Sequence, residues 1–191
     1  LDNQKDIQRY LMWQQIDGAG SEYCSLQYKK RDWYLNGTII TTFNDQPTLV
    51  KYQIRCDEMW CTRHVQVTTQ SGQDQQNLEL IRDEQYRWHI NGQVKDSLGQ
   101  CVDVDLGVTP ATNTLPIRRL SLAVGETAEV FAAWVRFPQL SVEVLGQRYT
   151  RLSETRYKYE SRGGAFVTEF EVDRWGIVLT YPDLWERIGS I

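Results

Sequence analysis

The sequence feature that most constrains the fold is the segment Cys101–Leu122, which reads CVDVDLGVTPATNTLPIRRLSL. Its first six residues alternate between aliphatic and other side chains, which is typical of a β-strand. The aliphatic residues of this strand would share one face: Val102, Val104 and Leu106. Asp103 and Asp105 would lie on the opposite face, where buried carboxylates need partners. Because Arg118 and Arg119 follow closely, the segment predicts an acidic strand held by arginines.

The second half of this segment indicates a short helix. The letters GVTP interrupt the strand, and Thr112, Asn113 or Thr114 can cap a helix whose first turn contains Pro116. We therefore predict a central helix over residues 113–123. No second amphipathic helix of any length is evident in the sequence.

The rest of the chain reads as short strands separated by turns. Two Asn-Gly pairs, Asn36-Gly37 and Asn91-Gly92, can supply the positive φ angles of a type I′ turn, and each predicts an antiparallel hairpin. Pro182 predicts a helical turn or two at the end of the chain. The predicted fold is therefore mainly β, a roll or barrel-like sheet with one helix. We expect a single domain over residues 1–191, with residues 1–8 as a loose lead-in.

The composition excludes several classes of function. The formal net charge of −4, with a pI near 5.3, gives no electrostatic footprint for nucleic acid. No run approaches the roughly 18 apolar residues that a membrane-spanning helix needs, so we expect a chain that does not span a membrane. The polar start lacks the apolar core of a signal peptide, which predicts a cytoplasmic location. The four cysteines are expected to stay reduced, because a core of this size needs no disulfides.

The acidic pair on the central strand could serve catalysis. Residues two apart on a strand lie roughly 6.5 Å from each other at Cα, which overlaps the roughly 6.5–9.5 Å carboxylate spacing of inverting glycosidases. The alternatives for Asp103 and Asp105 are ion pairs with Arg118 and Arg119, or contacts with the head group of a ligand. The sequence has no Gly-x-Ser-x-Gly, His-Glu-x-x-His or Walker motif. We therefore expect a protein that is not an enzyme and that uses no metal or other cofactor.

Several motifs give the chain a family resemblance. They are DVDL-x-x-TPATNTLPIRRL from Asp103, AAWVRFP from Ala132, Cys56-Asp57-x-x-Trp60-x-Thr62-Arg63, Tyr157-x-Tyr159-Glu160-Ser161 and Tyr181-Pro182-x-Leu184-Trp185. Together, and in their order along the chain, they resemble the putative glycolipid-binding family, once known only as a domain of unknown function. The resemblance implies a spiral β-roll, in which many short antiparallel strands wrap around one α-helix, with a shape similar to that of bacterial lipoprotein carriers. It also suggests self-association as a homodimer.

The function that we expect is non-enzymatic binding of an amphipathic small molecule, such as a glycolipid, in an apolar cavity beside the central helix. Apolar walls suit lipid chains, whereas Trp faces, Arg and Asp suit a sugar or phosphate head group. The candidate ligand-binding residues combine these types: Trp60, Arg63, Asp103, Asp105, Thr109, Asn113, Arg118, Arg119, Trp134 and Arg136. Two alternatives remain open: a carbohydrate-active enzyme that uses Asp103 and Asp105, and a homodimeric interaction module without a small ligand.

Overall fold

The structure is a computed structural model, and it describes residues 7–16, 18 and 20–191. Within these residues the chain forms fifteen strands and one α-helix, α1 (Thr114–Leu120), besides short 3-10 turns. The strands, in chain order, are β1 (Ile7–Gln15), β2 (Ser21–Lys29), β3 (Asp32–Phe43), β4 (Gln46–Cys56), β5 (Thr62–Ser71), β6 (Asp74–Arg82), β7 (Trp88–Ile90), β8 (Gln93–Val94), β9 (Asp103–Leu106), β10 (Thr127–Arg136), β11 (Ser141–Arg151), β12 (Arg156–Ser161), β13 (Phe166–Val172), β14 (Val178–Tyr181) and β15 (Trp185–Ser190).

All of these strands belong to one sheet, in the order β8-β7-β6-β5-β4-β3-β2-β1-β15-β14-β13-β12-β11-β10-β9. Consecutive strands pair in antiparallel fashion from β1 to β8 and again from β10 to β15. The two series join where β1 pairs with β15, and β9 adds to β10 in parallel. The predicted fold, a mainly β roll with one short helix, is confirmed.

Alternation of apolar and polar residues directs one face of the sheet toward a common core. In β4, for example, Val50, Tyr52 and Ile54 are buried, and the residues between them are exposed. Each fully buried side chain of this size contributes about 1.5–3 kcal/mol relative to an exposed one. The core is continuous across both series of strands. The indole of Trp13 in β1 joins the two halves by donating a 2.9 Å hydrogen bond to the carbonyl of Val178 in β14.

Strand β9 forms the inner end of the sheet, and side chains on both of its faces are buried. Val104 and Leu106 are buried on one face, and Asp103 is buried on the other. The edge of β9 is covered by Thr62, whose N–H donates to the Val102 carbonyl at 3.3 Å and whose hydroxyl accepts from the Val104 N–H at 3.3 Å. The sheet therefore curls back until the start of β5 meets β9, and this edge strand is not available to other chains.

Helix α1 is shorter than the predicted helix over residues 113–123. It begins at Thr114, after a 3-10 turn at Ala111–Asn113, and it ends at Leu120 because Ser121 adopts a left-handed conformation with φ of 47°. Its first four residues, Thr114 to Ile117, are buried and pack into the core. No helix in the part of the chain that the structure describes is long and apolar enough to cross a membrane.

The two Asn-Gly pairs have different roles. Asn91 and Gly92 have φ angles of 48° and 81° and join β7 to β8, so the second predicted hairpin is confirmed. Asn36 and Gly37 lie in the middle of β3, and the first hairpin prediction is wrong. Gly37 lies opposite Tyr52, where a Cβ would come within 2.2 Å of the tyrosine ring. Gly37 therefore leaves room for the Tyr52 ring and does not form a turn. The Asn-Gly pattern alone does not distinguish these two roles of a glycine.

We expect Gly37→Ala to destabilise the protein by about 1–3 kcal/mol, because the added methyl group overpacks a fully buried ring. Gly146→Ala is the matched control, since its Cβ would lie at an ordinary 3.5 Å from the Phe131 ring on the neighbouring strand. Its effect should stay within about 0.5 kcal/mol. Urea unfolding followed by tryptophan fluorescence measures both. Equal free energies of unfolding for the two variants would contradict this role of Gly37.

The ends of the chain also differ from their predictions. The first six residues of the predicted lead-in 1–8 lie outside the described residues, and its last two belong to β1. The segment after Pro182 forms β15 in place of the predicted helical turn. It pairs with both β14 and β1, so this segment joins the two series of strands. Pairing on two sides overrides the local helical preference of a short segment.

Candidate functional site

A cavity of about 230 Å³ lies between β9, the turn that leads into α1, and strands β10 to β15. Aromatic side chains form much of its wall: Trp134, Tyr159, Phe166, Tyr181 and Trp185. Its polar lining consists of Asp105, Thr109, Asn113, Ser161 and Arg162. We refer to it as the aromatic cavity. It borders the turn before α1, and no residue of α1 lines it.

The aromatic wall is a packed unit contributed by successive strands. Tyr159 of β12 contacts Phe166 of β13 with ring centroids 6.0 Å apart, and Phe166 stacks on Tyr181 of β14 at 6.4 Å. Phe170, which is fully buried, lies 5.4 Å from Tyr181 and supports the wall from the core. Rings that pack against one another in this way give a cavity wall of fixed shape.

Asp105 is the one carboxylate among the described residues that line the aromatic cavity. Its Oδ2 accepts a 2.5 Å hydrogen bond from Nε2 of the buried Gln147, and the same amide donates to the Tyr159 hydroxyl at 3.0 Å. Burial raises the pKa of Asp105 to about 6, although the bond from Gln147 favours the charged form. The amide of Gln147 therefore supports this carboxylate through a hydrogen bond. Among the described residues, no basic side chain forms an ion pair with it.

Thr109 connects this cavity to a buried acid from the first half of the chain. Its hydroxyl donates to Oε2 of Glu22 at 2.5 Å, and the Tyr52 hydroxyl donates to Oε1 of the same carboxyl group at 2.5 Å. Glu22 is 0% exposed. Burial raises the pKa of Glu22 to about 7, against the effect of both hydrogen bonds. The turn that lines the cavity is thus fixed to β2 through a carboxyl group.

Asn113 lies at the start of α1, but its side chain does not cap the helix, and the capping prediction for it is wrong. Its Oδ1 accepts a 2.9 Å hydrogen bond from the Tyr149 hydroxyl, and its Nδ2 donates to the Pro110 carbonyl at 3.2 Å. The side chain instead ties the turn to β11. The reason is that a 3-10 turn precedes the helix and gives Asn113 a helical backbone conformation.

Two arginines pack against Trp134, which lines the cavity. The guanidinium carbons of Arg136 and Arg162 are 5.1 Å and 4.9 Å from the indole centroid, within the range of cation–π contact. Arg136 also forms a 3.1 Å ion pair with Glu143. Gly107 is packed against the indole nitrogen, which a Cβ would approach to 2.7 Å. The half-buried indole is therefore held in place on several sides.

Asp103 lies on the same strand as Asp105 but in a different environment. Arg119 donates to both of its oxygens, from Nε at 3.0 Å and from Nη2 at 2.6 Å. Burial raises the pKa of Asp103, and the two bonds from Arg119 oppose that rise. The predicted arginine–carboxylate contact is present for this pair. Because Asp103 is buried and paired with Arg119, Asp105 has no second accessible carboxylate beside it on this strand. The glycosidase alternative requires such a pair of carboxylates.

Trp60, Arg63 and Arg118 form a second cluster around the turn before β5. Trp60 stacks on Trp33 with centroids 4.1 Å apart, and the Arg118 guanidinium lies 5.4 Å from its ring. Arg63 pairs with Asp57 at 2.8 Å. None of these side chains lines the aromatic cavity. The contact between Trp60 and Arg118 attaches this turn to α1, and the ion pair of Arg63 with Asp57 joins the two ends of the turn.

The structure thus divides the ten candidate residues. Four line the aromatic cavity: Asp105, Thr109, Asn113 and Trp134. Arg136 lies beside it on Trp134. The remaining five lie elsewhere: Trp60, Arg63, Asp103, Arg118 and Arg119.

Sequence reasoning missed four residues that shape the site. Tyr159 lies within a motif quoted for the family resemblance, so a signal for it existed. The sequence also contained a signal for Glu22, because this acid shares the inward face of β2 with Cys24 and Leu26, where a charged residue is unexpected. Gln147 and Arg162 gave no signal, since their roles arise only when distant strands meet.

The motifs that carry the family resemblance converge on this cavity. Asp105 comes from the first motif, Trp134 from the second, Tyr159 from the fourth and Trp185 from the fifth. The third motif, residues 56–63, forms the second cluster against α1. Four separate segments of sequence therefore meet around one space.

Comparison with known proteins agrees with this fold and these motifs. The family described as putative glycolipid-binding matches residues 10–187. The crystal structure of a DUF1089 family protein from Pseudomonas aeruginosa is similar, with a TM-score of 0.77 and 31% sequence identity, over 87% of this chain and 92% of that one. No protein among the curated ones matches. The chain belongs to the putative glycolipid-binding family.

Proposed function

We propose that this protein binds an amphipathic ligand of the glycolipid class, without catalysing a reaction, and that the aromatic cavity holds part of the ligand. The observation that carries this proposal is the convergence of four family motifs on one cavity. Aromatic faces beside a few fixed polar groups are typical of small-molecule sites. The four free thiols would suit a reducing compartment, so we place the protein in the cytoplasm as part of the proposal.

The volume of the cavity limits what it can hold. At about 230 Å³ it is smaller than the roughly 300–1,000 Å³ of sites that bury a drug-sized ligand. It equals the space of about eight water molecules in the liquid, which suits a short alkyl segment. A ligand with long chains would therefore be bound only in part, and the rest would lie outside.

The chemistry of the lining favours binding over catalysis. Asp105 accepts a hydrogen bond from Gln147, and the Thr109 hydroxyl donates a hydrogen bond to Glu22. Neither group is therefore positioned beside a free nucleophile. The sealed pair of Asp103 and Arg119 removes the second carboxylate that a glycosidase would need. The enzyme alternative is consequently weaker than the binding proposal.

The proposal is tested by titrating the protein with octyl glucoside, below its micelle concentration, in a calorimeter. We expect saturable binding with one site, and Trp134→Ala should weaken it by roughly tenfold, because a large aromatic wall is lost. Native mass spectrometry of the freshly purified protein is expected to show co-purified lipid.

Trp175→Ala is the matched control for this titration. Trp175 is also half-buried, and two arginines also pack against its ring, Arg9 at 5.6 Å and Arg174 at 5.7 Å. It does not line the aromatic cavity. Its loss should leave the dissociation constant unchanged. Absence of both octyl glucoside binding and co-purified lipid would overturn the proposed function.

A further inference from the structure

The aromatic cavity opens at a gap in the sheet. Strand β11 pairs with β10 over nearly its whole length, but β12 pairs only with residues 147–151 of β11. Residues 141–146 of β11 therefore have no strand partner on that side within the described structure. The chain leaves β12 at the turn Arg162–Gly164, and Arg162 lines a common space with residues 143–146 of the unpaired segment.

A second cavity, of about 360 Å³, adjoins the aromatic cavity at this gap. The two share Trp134, Leu145 and Arg162, and the second cavity also contacts Arg136, Glu143 and Gly146. We refer to it as the rim cavity. Because the two cavities share these three lining residues, an amphipathic ligand too long for the aromatic cavity would extend into this neighbouring space.

The two cavities differ in charge. The rim cavity has two arginines and one glutamate, and the glutamate is already paired with Arg136 at 3.1 Å. Arg162 is exposed and forms no ion pair with the described residues, so its guanidinium is open to an external anion.

The aromatic cavity disfavours an anion. Its charged lining residues are Asp105, which has no ion-pair partner, and Arg162, which it shares with the rim cavity. A second negative charge placed beside the Asp105 carboxylate would be repelled. The aromatic side chains of the wall offer apolar surface instead. A ligand with an acidic head group would therefore enter with its apolar end first.

We propose that the rim cavity is a head-group subsite for an anionic group, a phosphate or a carboxylate, held by Arg162 over Trp134 while the alkyl part fills the aromatic cavity. This inference rests on the function proposed above and adds the orientation and charge of the ligand. Either a phosphorylated lipid or a lipid with an acidic sugar supplies the required anionic oxygens.

The test compares octyl phosphate with octyl glucoside by calorimetry at low salt. We expect octyl phosphate to bind roughly tenfold more tightly, because a charge-assisted contact with Arg162 is added to the same alkyl contact. Arg162→Ala should remove this difference, so that the two compounds bind the variant with similar affinity. Arg174→Ala, which removes the same kind of arginine from the ring of Trp175, should change neither affinity.

The possible results separate the two proposals. Equal affinity for the two compounds, or an unchanged preference in Arg162→Ala, would overturn the head-group assignment and leave the proposed function intact. No binding of either compound would overturn both. A preference for octyl phosphate that is lost with Arg162 and weakens as salt is added supports the assignment.

Discussion

Replacing Arg119 with methionine is expected to lower the free energy of unfolding by about 3–5 kcal/mol, because the substitution leaves the Asp103 carboxylate buried and unpaired. Asp103 is 0% exposed, so water cannot replace the two hydrogen bonds that it loses. The contact also connects α1 to β9, the innermost strand. Urea unfolding at neutral pH, followed by circular dichroism, measures the effect.

Two further variants show whether burial is the cause. Arg63→Met removes a similar arginine from Asp57, but that carboxylate still accepts hydrogen bonds from the N–H groups of Met59 and Cys61. We expect a loss of less than about 1 kcal/mol, as for other partly exposed ion pairs. Adding Asp103→Asn to Arg119→Met should recover part of the stability, because the buried charge is then absent. Similar losses for Arg119→Met and Arg63→Met would refute the assignment.

The sequence was sufficient to predict that an arginine pairs with the acidic strand, but not which arginine. Adjacent residues on a helix point in directions about 100° apart, so only one of Arg118 and Arg119 can face β9. The structure shows that Arg119 does so, and Arg118 lies on Trp60. The direction depends on how the helix starts, and the 3-10 turn before α1 was not evident from residue types.

Two of the predictions that failed share one physical cause, namely tertiary pairing that overrides a local pattern. Gly37 has the sequence context of a hairpin turn, yet β3 continues through it because β2 and β4 pair on both sides. Pro182, shortly before the last strand, favours a helical turn, yet the residues that follow it pair with β1 and β14 in the sheet. Local propensities amount to about 1 kcal/mol or less per residue, which a few buried contacts exceed.

The candidate site was predictable only where a sequence motif carries its residues, as for Trp134 in one motif and three residues in another. Asp105, Thr109 and Asn113 belong to a single motif, and the structure places all three around the aromatic cavity. Gln147 supports Asp105 from a strand 42 residues further along the chain, and Glu22 binds Thr109 across 87 residues. Partners at such separations depend on the order of strands in the sheet, which residue patterns do not specify.

The stability of the wild-type protein is expected to fall by about 3 kcal/mol through Glu22 alone as the pH rises from about 4.5 to 7. The pKa of Glu22 is about 7 in the folded protein, against an ordinary value of 4.5. Between these values the folded state holds a proton that the unfolded state has released, so raising the pH favours unfolding. The contribution is complete below pH 4.5 and is lost once the pH exceeds 7. The size follows from about 1.4 kcal/mol for each pH unit.

Glu22→Gln tests this assignment, because the amide keeps the shape of the side chain and cannot ionise. We expect the variant to lose this part of the pH dependence and to be more stable than the wild type at pH 8, with urea unfolding measured at several pH values. Glu154→Gln, at an exposed position, should leave the wild-type profile unchanged. Asp105 adds a separate dependence of stability on pH, between its ordinary pKa of 3.8 and about 6. This dependence should persist in Glu22→Gln and disappear in Asp105→Asn.

If Glu22→Gln retained the full dependence of stability on pH up to pH 7, Glu22 would have to be ionised and compensated in the folded protein. The bond from Thr109 would then be a contact to a charged group, and the turn beside the aromatic cavity would be held more strongly than a neutral carboxyl allows.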